Sequence, residues 1–293
     1  MSIDVFDKIR QSYPHMSKGH KRIADYILSD YDKASVMTAL KLGQSVGVSE
    51  STVVRFAMEL SYNGYPEFQQ AVNEAMRIKL TSVQRIEVSN MRLENKSILE
   101  EVLNSDIERI RKTLEQSSKE NFDNVVEKIA EAETVYIIGA RSAEPIAQFL
   151  SYYMSLMCDD VRFLETKGTS ALLQQMINLK ENDAVIGMSF PRYSVQTITA
   201  LKYASKAHAS VIAITDSKAS PIAEFADYTL CARSDMISFA DSLVAPMSLI
   251  NALIVALSIK KQDTVNRNFK ILEDIWDKYD AYKKSEDGET DEI

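Results

Sequence analysis

Three short polar stretches in the second half of the chain carry the residue types that bind anions. "IIGARSAEP" (137–145) offers Gly139, Arg141 and Ser142; "MSFPRYS" (188–194) offers Ser189, Arg192, Tyr193 and Ser194; "ETKGTS" (165–170) offers Thr166, Lys167, Thr169 and Ser170. Hydroxyls and backbone N–H groups donate hydrogen bonds to phosphate oxygens, and a guanidinium adds a bidentate, charge-assisted contact. Each stretch alone also reads as an ordinary strand-to-helix turn whose serine caps the next helix. A parallel sheet would bring all three to one ligand. In such a sheet the loops at the carboxyl ends of the strands share an edge, and helix N-termini there present free N–H groups.

The surrounding sequence supplies the elements for that sheet. "TVYIIG", "VRFL", "AVIGMSF", "SVIAITD" and "YTLCA" are short, β-branched and apolar, and helical stretches such as 144–157 and 195–207 separate them. Continuous apolar strands joined by helices predict an α/β domain: a five-stranded parallel sheet, doubly wound, with both faces covered. Neither GxGxxG nor GxxxxGK[ST] occurs, which disfavours dinucleotides and nucleoside triphosphates. Helices over 239–260 and 267–283 close the chain. The stretch 243–257 is apolar almost all round and must be buried, for which a subunit interface is a natural place. Just before it, Ser234, Asp235, Ser238 and Ser242 lie over the pocket or across a dimer.

The first eighty residues contain no β-like run. Their apolar spacing predicts five short helices: 5–11, one from residue 17 or 18, 38–46, 49–60 and 67–80. In "TALKLGQSVGVSESTVVRF" the first helix ends at Gly47 and Ser49 caps the next, which turns Glu50, Ser51, Thr52 and Arg55 to solvent. Short hydroxyls and an arginine at the start of a helix suit a major groove, and Lys18, Lys21, Arg22 and Lys41 suit flanking phosphates. An ordinary helical hairpin with Ser and Thr caps is the other reading.

Between the two regions, 81–95 reads as a linker. Then come two helical stripes, Leu99-Leu103-Ile107-Ile110-Leu114 and Phe122-Val125-Val126-Ile129. They pack on the next domain or form an interchain contact. The expected organisation is 1–80, an all-α DNA-binding domain; 81–120, a helical linker; 121–283, the α/β domain; and 284–293, a disordered acidic tail.

The net charge is −8, but residues 1–80 hold 10 basic against 9 acidic residues, about +1, and the remainder carries 24 against 33, or −9. So weak an electrostatic footprint requires dimerisation on paired half-sites. Two cysteines without a CxxC pattern and three scattered histidines exclude a cysteine-rich zinc site and predict no metal. No apolar run reaches the roughly 18 residues of a membrane span, and the N-terminus lacks a signal-peptide core, so a cytoplasmic protein with no membrane partner is expected.

The segment 16–68, above all GVSESTVVRFAMELSYNGYPEF, resembles the N-terminal domain of the RpiR (MurR/RpiR) family of sugar-responsive transcription regulators. It matches through Val48, Ser49, Thr52, Val53, Arg55, Phe56, Gly64, Tyr65 and Phe68, and departs at Ser61-Tyr62, where the family often has Gly-Phe. The region 125–259 resembles the SIS (sugar isomerase) domain through VYIIGARSAEPIAQFLSYYM, VIGMSFPRYSVQTITAL and VIAITDSKASPIAEFADYTL. That resemblance implies a phosphosugar-binding sandwich that dimerises. The SIS domain's first loop is commonly Gly-x-Gly-x-Ser; here Arg141 replaces the second glycine. Its phosphate loop is commonly Ser-x-Ser-Gly-x-Thr; here Pro191-Arg192 replace the inner Ser-Gly.

Together these features predict a homodimeric or homotetrameric regulator of carbohydrate metabolism. It binds a double-stranded DNA operator, senses a phosphosugar-type effector and uses no cofactor. The two arginines point to a ligand more negative than a simple monophosphate, or else they pair with Glu144, Glu165 or a dimer partner. The alternative is a phosphosugar isomerase with a helical accessory domain, whose base would be a carboxylate such as Glu144 or Glu165.

Overall fold

The computed structural model describes residues 4–79, 81–93, 97–236 and 238–279. The expected acidic tail lies outside them. The N-terminal region comprises α1 (Val5–Ser12), α2 (Lys18–Ser29), α3 (Tyr31–Ala34), α4 (Ala39–Val46), α5 (Glu50–Glu59) and α6 (Tyr65–Lys79), with the one-turn α3 added to the five expected helices. Phe6, Ile9, Ile23, Ile27, Leu42, Val53, Phe56 and Phe68 form their common core. Polar caps set the starts: Ser17, Thr38 and Ser49 each accept from the backbone N–H three residues on. Gly47 ends α4 at φ 70°, a left-handed conformation that glycine adopts without a Cβ penalty.

The stretch read as a linker is largely helical. α7 (Ser82–Leu93) starts with a reciprocal cap in which Thr81 Oγ1 accepts from Gln84 N while Gln84 Oε1 accepts from Thr81 N. Next come α8 (Ile98–Gln116) and α9 (Lys119–Glu131). α9 buries Val125, Val126 and Ile129 as its stripe predicts, whereas α8 buries only Arg109 and Thr113 and turns its leucines and isoleucines outward.

β1 (Val135–Gly139), β2 (Val161–Phe163), β3 (Ala184–Met188), β4 (Ser210–Thr215) and β5 (Tyr228–Cys231) form one all-parallel sheet in the order β2-β1-β3-β4-β5. All five strands fall where the apolar runs place them. The two-residue alternation sends Val135 and Ile137 to one face and Tyr136 and Ile138 to the other. On the first face α9, α10 (Glu144–Met154) and α13 (Val244–Lys260) cover the sheet; on the second, α11 (Thr169–Gln175) and α12 (Val195–Lys206) do. Short edge strand β2 carries Arg162, which is held by Asp160 at 2.6 Å.

α13 starts at Val244, later than the expected 239, because Met236 and Asp241 pair across an isolated antiparallel bridge first. It buries Leu249, Ile250, Leu253 and Leu257 but leaves Val255 and Ile259 exposed, so the all-apolar helix is covered on one side only. α14 (Gln262–Lys278) leaves it at 95° and has no buried residue. Among the described residues no single helix is long and apolar enough to cross a membrane, and no group of three metal-ligating side chains occurs.

The two halves meet in a small cluster of Met76 from α6, Val88 from α7 and Met236, flanked by Tyr31 and Val36. Gln84 Nε2 donates to the Tyr31 hydroxyl at 3.3 Å, and Arg233 reaches Glu74 of α6 at 3.4 Å.

Candidate functional site

In the strand order 2-1-3-4-5 the chain winds outward in opposite directions from β1 and β3, so the loops leaving these strands part and open a crevice at their carboxyl ends. The loop after β1 bears Arg141 and Ser142, and the loop after β3 bears Ser189 to Ser194. Gly139 is the last residue of β1, and a Cβ there would lie 2.5 Å from the Ala143 carbonyl oxygen. Its role in the structure is to let the returning turn approach the strand.

The crevice is a cleft of about 250 Å³ lined by Arg141 and Ser142 of the first loop and by Ser189, Phe190, Pro191, Arg192 and Ser194 of the second. Arg85 of α7 and Phe239, Ala240 and Asp241 complete it. Three guanidiniums therefore face one carboxylate. Arg85, 1% exposed, reaches Asp241 Oδ1 and Oδ2 at 3.2 and 3.3 Å. Arg192 Nη1 donates to Ser82 Oγ at 3.3 Å. The Arg141 carbonyl accepts from the Glu144 N–H, but among the described residues its guanidinium forms no hydrogen bond or ion pair. The acids weighed as its partners are engaged elsewhere, Glu144 by Gln148 and Glu165 by Lys167.

The loop hydroxyls also have local duties. Ser189 Oγ accepts from Ser194 N at 2.9 Å, and Ser194 Oγ accepts from Thr197 N to cap α12. Both keep a hydroxyl proton to donate. Tyr193 donates to Asp216 Oδ1 at 2.9 Å and does not line the cleft. Thr166 and Thr169 lie outside the lining as well; the Thr166 carbonyl accepts from Gln196.

Arg141 and Arg192 share an unusual backbone. Their φ values are 57° and 63°, in the left-handed region where a side chain costs roughly 1–2 kcal/mol. These are the two positions at which an arginine replaces a glycine of the SIS patterns, whose remaining glycine is kept as Gly139. The chain thus keeps the glycine conformation and places a guanidinium on it in both loops. Burial raises both cysteine thiols, Cys158 and Cys231, above their ordinary range, so neither is poised as a nucleophile.

The second candidate surface is the start of α5. Ser49, Glu50, Ser51 and Arg55 are exposed and Thr52 is half-buried. The Ser49 hydroxyl lies 2.9 Å from Ser51 Oγ and 2.8 Å from Thr52 Oγ1, so its first duty is the helix cap. Gly19 of α2 lies beside Thr52 and Val48, which brings exposed Lys18 next to this helix start. Arg22 is close to Gly47, and Lys41 is exposed on α4. Lys21 is half-buried, with its ammonium 5.4 Å from the Tyr13 ring centroid. Two packed helices with a left-handed glycine between them and a polar helix start outward form a helix-turn-helix.

Sequence reading missed Arg85, Phe239 and Asp241. The Thr81-x-x-Gln84 pattern was the available signal for the first, since it marks where the helix that carries Arg85 starts. Nothing local marks Asp241, which reaches the cleft through the bridge to Met236.

Fold and sites define a helix-turn-helix protein joined to a sugar-isomerase-type α/β domain. Residues 3–79 match the family described as helix-turn-helix domain, rpiR family, and residues 128–256 match the SIS domain. The chain belongs to the RpiR family of helix-turn-helix transcriptional regulators. An uncharacterized HTH-type transcriptional regulator of Haemophilus influenzae is 25% identical over 229 residues, 78% of this chain and 79% of that one. The sugar isomerase domain of an RpiR transcription factor from Sphaerobacter thermophilus is 27% identical, with a TM-score of 0.58, over 60% of this chain and 98% of that one. The Vibrio vulnificus NanR protein, solved in complex with ManNAc-6P, shares the fold at 20% identity and a TM-score of 0.57, over 92% of this chain and 98% of that one.

Proposed function

We propose that this regulator controls genes of carbohydrate metabolism and that its cleft at the β1/β3 switch point takes a phosphorylated sugar or a related anionic metabolite, without turning it over. The convergence of Arg141, Ser142, Ser189, Arg192 and Ser194 on one cleft carries this reading. Asp241 offsets one of the three guanidiniums, and the remaining two match the charge of one phosphate near neutrality, about −1.5 to −2. The charge in the cleft therefore does not call for the more negative ligand that the two loop arginines alone suggest. The phosphorylated sugar bound by the Vibrio vulnificus relative accords with that class. No cofactor is required.

Residues 1–80 act as the DNA-binding unit and residues 121–283 as the sensor, with 81–120 joining them in the cytoplasm. The α5 start, through Glu50, Ser51, Thr52 and Arg55, meets an operator half-site, and Lys18, Lys21 and Lys41 meet phosphates. Two or four copies supply the paired half-sites. The outward stripe of α8 and the uncovered side of α13 support such an assembly.

The isomerase alternative needs a poised base. The carboxylate lining the cleft, Asp241, is held by Arg85, which suits binding rather than proton abstraction. Incubating the purified protein with hexose and pentose phosphates separates the two readings: we expect no turnover, and turnover sinks the regulator-only assignment. In parallel, retardation of DNA from upstream of its own gene, altered by one member of that panel, is the expected outcome.

A further inference from the structure

The helix that joins the two halves is also a wall of the cleft. Arg85 lies in its first turn, almost wholly enclosed, and a buried guanidinium is tolerated only when paired. Its pairing partner, Asp241, lies in the other half of the molecule. From the same turn Ser82 holds Arg192, the guanidinium that replaces a loop glycine. One turn further on, Val88 is buried against Met76 of the DNA-binding half and Met236, while Gln84 bonds to Tyr31. Met236 is in turn bridged to Asp241. A charge entering the cleft therefore meets side chains that fix the seat of α7.

We propose that Arg85 is a contact residue for the anionic ligand, and that α7 reports occupancy of the cleft to the DNA-binding half. The ligand's anion draws the Arg192 fork away from the single, long contact with Ser82 and shares Arg85 with Asp241. This exchange of partners shifts α7 against Met76 and Tyr31. A ligand can move such an equilibrium only by its difference in affinity for the two arrangements, and the coupling is reciprocal. DNA then changes ligand affinity by the same factor as ligand changes DNA affinity. The inference rests on the cleft being the phosphosugar site.

The test uses the full-length protein with inorganic phosphate, glucose 6-phosphate, ribose 5-phosphate and 6-phosphogluconate as probes, titrated by calorimetry. Arg85→Met combined with Asp241→Asn removes both charges, so neither is left buried alone. We expect this variant to bind the best probe at least tenfold more weakly while retaining the wild-type circular dichroism. Ser82→Ala should still bind that probe but lose most of the probe's effect on DNA affinity. In the wild type, probe binding should change amide hydrogen exchange within 82–93. If the double variant does not fold, the Ser82→Ala and exchange results decide. Wild-type affinity in the double variant, or unchanged exchange together with an unchanged Ser82→Ala response, overturns the proposal. Should Arg141→Ala abolish binding while the Arg85 variant does not, the cleft assignment stands and this inference falls. Binding of no probe to the wild type removes both.

Discussion

Arg141 and Arg192 are where side-chain chemistry and backbone preference conflict. Each occupies a left-handed conformation that glycine would hold at lower cost, and each points into a cleft rich in positive charge. Backbone strain of this kind persists where the surrounding structure over-determines it, and it clusters at binding sites. Restoring glycine therefore separates stability from binding. Arg141→Gly should raise the unfolding free energy by roughly 0.5–1 kcal/mol, the strain relieved less the added freedom of an unfolded glycine. The same change should weaken phosphosugar binding. Denaturant unfolding and calorimetry on one sample read both signs, and a variant that loses stability along with binding contradicts the strain account. The sequence alone pointed to these two positions, because an arginine stood where a related pattern has glycine. It could not place Tyr193, whose hydroxyl turns to Asp216 because the loop after β3 carries it toward the end of β4.

At the scale of elements, α8 carries the most direct test of association. Leu99, Leu103, Ile107 and Leu114 recur at helical spacing, and all four are more than half exposed. With Phe122 and Leu249, the lower part of this helix borders an apolar groove of about 420 Å³. An exposed apolar stripe of this extent marks an interaction surface. Leu103→Glu should leave monomer stability within about 0.5 kcal/mol, as for an exposed site, and shift the sedimenting species toward monomer. An unchanged assembly would assign the stripe to another partner. The strands were legible because a parallel sheet buries both faces and leaves unbroken apolar runs. The direction of the α8 stripe was not legible, since spacing identifies a face but not what covers it. That α7 lines the cleft was not legible, because two of its three described buried residues are polar and its burial comes from tertiary contacts. Arg85 and Ser89 look like linker residues until Asp241 and the joint are placed beside them.

For the molecule as a whole, a −8 chain with a DNA-facing domain near +1 presents only a weak electrostatic footprint to DNA, which is why the proposed function pairs copies on half-sites. Each phosphate contact adds about −0.9 to the slope of log affinity against log salt. Lys41→Ala should therefore lower that slope by about one unit per subunit and weaken all DNA sequences alike. Arg55→Ala should instead flatten the preference among sequences. Gel retardation across a salt series distinguishes the two, and identical slopes in Lys41→Ala and wild type would remove Lys41 from the interface.

The edges of the sheet constrain how copies can meet. An unpaired strand offers a row of backbone donors and acceptors to any neighbouring strand. Here β2 is three residues long with Arg162 tied down across it, and β5 is only four. Two molecules cannot extend one another's sheet over any useful length, so in the proposed assembly the contact would fall to side chains on helices. Such an interface can rock or slide without breaking backbone pairing, a mechanical freedom that a sensor needs if it is to change the distance between its two grips on DNA.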